Sequence, residues 1–111
     1  MSDMSDTATL PEVATKDREK VLRQPPYHVI LHNDDDHTFE YVIRMLKELF
    51  GHQEETGFLM AKEVHEKGRV IVCTTSMERA ELKRDQIHAY GPDKLLARCK
   101  GSMSASIEPA E

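Results

Sequence analysis

The apolar run Val29-Ile30-Leu31 leads directly into His32-Asn33-Asp34-Asp35-Asp36, and no other stretch constrains the chain as tightly. A short strand there delivers an amide and three carboxylates to one edge, just ahead of an amphipathic helix. These groups are rich in acceptors, and Asp34, Asp35 and Asp36 carry negative charge at neutral pH. The natural guest of such an edge is a cation, often one with several N–H donors. A metal ion, a Lys or Arg side chain and the free α-ammonium of a peptide all qualify.

With 111 residues the chain has enough length for one domain with a modest core. Its net charge of -5 argues against nucleic acid, which calls for clustered Lys and Arg. No apolar stretch approaches the length of a bilayer-spanning helix, and no basic-then-apolar signal peptide opens the chain, so a soluble cytoplasmic protein is expected. Cys73 and Cys99 form no Cys-x-x-Cys pair, which leaves neither a zinc clip nor a redox motif and predicts two reduced thiols.

Residues 1–24 are rich in Ser, Asp, Thr, Glu and Lys, a composition that buries too little surface to offset its ordering entropy. They are expected to form a flexible arm, ended by Pro25-Pro26. A folded domain is expected over residues 25–100, with residues 101–111 as a flexible tail. Within the domain, Tyr27 to His32 reads as a strand. Phe39, Val42, Ile43, Leu46, Leu49 and Phe50 recur at helical spacing, with Thr38 able to cap the start and Gly51 the end. A second helix is predicted over Glu54 to Lys67, closed by Gly68. Arg69 to Thr74 reads as a strand. Thr75-x-x-Glu78 matches a capping box that opens a third helix ending near Tyr90, stopped by Gly91-Pro92. A last strand fits Leu95 to Cys99. The expected fold is α+β, a small three-stranded antiparallel sheet packed against three helices in the order β-α-α-β-α-β.

The acidic run also suits a plain turn, because Asn and Asp bond to nearby backbone N–H groups and negative charge favours a helix N-terminus. Capping needs one such residue, however, and four stand in a row here. His32, His37 and the aspartates could offer metal ligands, but neither a calcium-loop pattern nor zinc-like spacing is present, and no metal or other cofactor is expected. A catalytic triad of His65, Asp34 and Ser76 lacks the Gly-x-Ser-x-Gly elbow, and Ser76 suits a helix start better, so the chain is not expected to be an enzyme. Ala61 and His65, four apart, share a helix face, and Val64 lies three from Ala61. That face combines an apolar floor with an imidazole at its rim, although ordinary core packing produces the same pattern.

Together these pieces resemble the ClpS family, bacterial adaptors of the N-end rule. The resemblance rests on Val29-Ile30-Leu31-His32-Asn33-Asp34-Asp35, Glu40-Tyr41-Val42, Val64-His65 ahead of Gly68, the run from Glu78 through Arg79, Ala80, Glu81 and Leu82 to Lys83, and Leu95-Leu96. It covers nearly all of residues 25–100 and implies an adaptor that captures proteins by an N-terminal Phe, Tyr, Trp or Leu and hands them to the ClpAP protease. In the roles it implies, Asn33, Asp34 and a neutral His65 accept from the α-ammonium, with Asp35 and Thr38 in support. Acid that protonates His65 is then expected to weaken binding. The first side chain enters an apolar pocket of Phe39, Val42, Ala61, Val64 and Leu95, where burial contributes about 2 kcal/mol.

Four positions depart from that family's pattern. His37-Thr38 stands where relatives commonly carry Thr-Pro, Phe39 where a Met is usual at the pocket entrance, and Ala61 where a bulky Met is usual in the wall. A smaller wall predicts a wider pocket that also admits Ile or Val. The resemblance further implies that Glu78 and Lys83 dock on the N-domain of a ClpA-type AAA+ unfoldase, and that the arm of residues 1–24 serves delivery. The competing reading is a peptide-binding module of the same fold whose ligand or protease partner has changed.

Overall fold

Three successive buried residues, Val29, Ile30 and Leu31, need cover that an edge strand lacks, and the strand that carries them, β1 (Tyr27–His32), lies at the centre of the sheet. The computed structural model describes residues 25–34, 36–96 and 101–110. β1 pairs antiparallel with β2 (Arg69–Thr75) on one side and β3 (Ala105–Pro109) on the other, giving the order β2-β1-β3. A register shift between Val29 and Ile30 interrupts the β1–β2 ladder. The three helices are α1 (Phe39–Phe50), α2 (Glu54–Lys67) and α3 (Met77–His88), so the chain runs β-α-α-β-α-β as the sequence predicts.

Local chemistry explains the helix limits. Thr38 holds an extended backbone and its hydroxyl accepts from the Tyr41 N–H at 3.1 Å, an N-cap. Gly51 and Gly68 take left-handed φ values of 74° and 89°, which cost glycine little, and their N–H groups bond back to α1 and α2. The face of α1 that carries Tyr41, Val42, Met45 and Leu46 is buried. Gly57 sits where α2 meets α1, and a Cβ there would come within 3.4 Å of the Ile43 backbone. α3 packs across all three strands and α2 packs against α1 and β2, enclosing a core with Val29, Leu31, Val64, Val72, Ala80 and Ile87.

Two expectations are corrected. The third helix is capped by Ser76, whose hydroxyl accepts from the Arg79 N–H, while Thr75 is the last residue of β2; the helix then ends at His88. A β-branched Thr extends a strand readily, so the cap falls one residue later. The larger correction concerns the last strand. Lys94 and Leu95 form a turn, and the strand is Ala105–Pro109, inside the segment expected to be a flexible tail. Met103, Ala105 and Ile107 alternate with Ser102, Ser104 and Ser106, and the apolar members pack on the core. The expected arm at residues 1–24, Asp35, and residues 97–99 of the expected strand lie outside the described residues.

Candidate functional site

The end of β1 is held between two elements. Asn33 N donates to Gly68 O at 3.0 Å, and Gly68 N in turn donates to Val64 O at 2.9 Å. The last turn of α2, which carries His65, is thereby fixed beside Asn33. On the other side, His32 N donates to Ser104 O at 3.1 Å, which draws the segment ahead of β3 to the same edge. Residues separated by some thirty to seventy positions in sequence thus converge through backbone bonds.

The Asp34 carboxylate is organised within this edge. Its Oδ1 accepts from Asp36 N at 3.0 Å, an Asx turn, and from His37 Nδ1 at 2.6 Å. Behind it lies Asp93, only 1% exposed, which no motif in the sequence singled out. Asp93 Oδ2 accepts from Thr38 N at 2.6 Å and Oδ1 from Leu95 N at 2.9 Å. Burial alone would push its carboxyl up. Bonds from the two backbone N–H groups and the Thr38 hydroxyl, with the nearby charge of His37, outweigh that and hold it below the usual carboxylate range. Thr38 therefore supports the site by linking α1 to Asp93.

Val42, Ala61 and Val64 are all buried and belong to one core cluster, which Phe39 packs against. The Phe39 ring lies edge-on to His65 at 5.7 Å and to Phe58 at 5.8 Å, so an aromatic side chain lies between the apolar floor and the imidazole. Leu95 is not part of this group. It is 57% exposed and lines a groove with Glu40, Ile43, Arg44, Lys47 and Glu54 on the outer side of α1. Because β3 begins ten residues after Leu95, the buried apolar residue that precedes the strand is Met103, 2% exposed and in the same cluster as Ala61 and Val64. The Ser/apolar alternation from 102 to 107 was its sequence signal.

Glu78 is exposed in the first turn of α3. Lys83 is engaged within the chain: its Nζ donates to Leu49 O at 2.5 Å, at the end of α1, and sits 5.4 Å from the Phe50 ring centroid. A cation at a helix C-terminus offsets the exposed carbonyl dipoles, so this residue has a structural duty of its own. Among the described residues, no group of three His, Cys, Asp or Glu side chains could hold a metal ion. No described helix is long and apolar enough to cross a membrane.

The family model for ATP-dependent Clp protease adaptor protein ClpS matches residues 22–95. The ATP-dependent Clp protease adapter protein ClpS of Ruegeria sp. (strain TM1040) is 37% identical over 90 residues, covering 81% of this chain and 80% of its own length. That of Pectobacterium carotovorum subsp. carotovorum (strain PC1) is also 37% identical, over 81 residues, with 71% and 76% covered. The solved structure of Agrobacterium tumefaciens ClpS2 bound to L-phenylalaninamide superposes with a TM-score of 0.68 at 28% identity, covering 79% of this chain and all of that one. The chain belongs to the ClpS family of Clp protease adaptors, which are not enzymes.

Proposed function

We propose that this adaptor binds the free α-amino group and apolar side chain of proteins with an N-terminal Phe, Tyr, Trp or Leu, and delivers them to ClpAP through the N-domain of a ClpA-type unfoldase in the cytoplasm. One observation carries the reading: the backbone bond from Asn33 N to Gly68 O sets the Asn33-Asp34 edge beside the last turn of α2, the helix whose Ala61 and Val64 share a core cluster with Val42. An α-ammonium offers three donors, and Asn33 Oδ1, Asp34 and a neutral His65 ring nitrogen supply three acceptors. Phe39 and Met103 complete the apolar side, in place of the exposed Leu95. The solved relative holds L-phenylalaninamide, which carries both a free amino group and an apolar side chain.

Titration with L-phenylalaninamide, followed by backbone NMR shifts, tests the placement. Shifts centred on Asn33, Phe39, Val64 and His65 are expected. Shifts confined to the groove of Ile43, Glu54, Phe58 and Leu59 would place the ligand elsewhere.

The small Ala61 side chain sets the width of the proposed pocket. Peptides starting with Ile or Val are expected to bind within about tenfold of Leu, since one methyl placement is worth about 1 kcal/mol. Ala61→Met is expected to reject them while sparing Leu, and an unchanged ranking would remove Ala61 from the wall. Deleting residues 1–24 is expected to leave peptide binding intact and to abolish degradation of a Phe-started reporter by reconstituted ClpAP. Loss of both would contradict separate roles for arm and domain.

A further inference from the structure

Each ring nitrogen of His37 faces an oxygen that can only accept. Nδ1 lies 2.6 Å from Asp34 Oδ1, and Nε2 lies 2.8 Å from the backbone oxygen of Gly101. A neutral imidazole carries one hydrogen, so either tautomer would turn a ring lone pair towards an oxygen at hydrogen-bonding distance. The arrangement is satisfied only when both nitrogens bear hydrogens. The ring side chain is 3% exposed, and its face lies 4.5 Å from the ring of the fully buried Tyr41. The Asp34 side chain, by contrast, is 35% exposed. One end of this pair is locked into the fold while the other reaches the surface.

We propose that His37 is a positioning residue for α-amino recognition: as an imidazolium clasp between Asp34 and Gly101, it fixes the Asp34 carboxylate with Oδ1 turned inward and Oδ2 presented to the ligand. The proposal rests on the function proposed above. Among the described residues, both bonds to Asp34 fall on Oδ1, so the second oxygen is the one available to a cation. The same ring ties the carboxylate to Gly101, two residues before Met103 and three before Ser104, whose oxygen accepts from His32 N. His37 thus sets the polar and apolar halves of the site relative to one another.

Its positive charge also opposes a cationic ligand. That repulsion acts from the buried side, behind the carboxylate. The ring is faced by Asp34 and by the Tyr41 ring from α1, and its charge acts on Asp93 from the segment after α3, whose carboxyl is held ionised in part by His37. Without the imidazolium, clustered carboxylates would repel one another, and the loop holding Asp34 would lose its fixed geometry. Positioning therefore outweighs repulsion.

The test is a double-mutant cycle on peptide binding. Free and N-acetylated Phe-started peptides are titrated into the full chain, His37→Gln, Asp34→Asn and the double variant. His37→Gln is expected to weaken the free peptide by roughly fivefold or more, and to change it by less than about twofold once Asp34 is Asn. Equal losses in both backgrounds would mean a general structural role, and tighter binding in His37→Gln would mean that charge repulsion dominates; either overturns the proposal. If the unsubstituted chain binds free and acetylated peptides alike, the proposed function fails instead. Ring 15N spectra of the unsubstituted chain give a second readout independent of any variant. Hydrogens on both His37 nitrogens are expected, and a lone-pair nitrogen signature would overturn the clasp.

Discussion

Asp34→Asn is expected to weaken binding of a Phe-started peptide by about tenfold to a hundredfold, with little change for its N-acetylated form. A charge-assisted hydrogen bond is worth about 1.5–3 kcal/mol, and each 1.4 kcal/mol is a factor of ten in affinity. The amide keeps the volume and can still accept from Asp36 N, so the turn persists while the charge proposed to face the α-ammonium is lost. Fluorescence anisotropy with both peptides reads the difference. A loss below about twofold for the free peptide would take Asp34 out of the amino-group site.

The second large effect is on stability. Asp93→Ala removes a carboxylate that accepts from two backbone N–H groups and sits almost wholly inside the fold. Leaving a donor such as Thr38 N without its partner costs about 1–3 kcal/mol, a large part of what a small domain has. The chain is expected to lose roughly 2–3 kcal/mol in urea unfolding, and binding to fall with it, because Thr38 and the start of α1 are tied to the acidic edge. The pH dependence follows from the direction of the shift. The folded-state value lies below the usual carboxylate range, so the stabilisation is present above that range and is lost as pH falls through the lowered value. Acid unfolding of Asp93→Ala should therefore be less steep. A midpoint equal to that of the unsubstituted chain at neutral pH would contradict this account of Asp93.

Much of this arrangement was legible in the sequence. The bounds of β1 and α2, the Thr38 cap and the left-handed Gly51 and Gly68 follow from local rules, where each signal lies within a few residues of its effect. Asn33, Asp34 and His65 could be singled out because their chemistry is concentrated beside a strand end and a helix end. Failures arose where the signal was weak or the partner distant. Leu95 and Leu96 look more like a strand start than Ser-Met-Ser-Ala-Ser-Ile does, because Ser and Ala bury little area and carry low strand propensity. Yet the alternating apolar positions are there, and the sheet selected them. Asp93 is paired with Thr38 across 55 residues and His37 with Gly101 across 64, and no local pattern announces such bonds. Lys83 shows a third case: its bond to Leu49 O at the end of α1 spans 34 residues, and no local pattern announces it.

The central claim is that this edge recognises a free α-amino group next to an apolar side chain. Anisotropy with two peptides, identical except that one Phe terminus is free and the other N-acetylated, tests it most directly. The account predicts binding of the free peptide and a loss of at least about a hundredfold on acetylation, since the charge and its donors vanish together. Equal affinity for the two would contradict it.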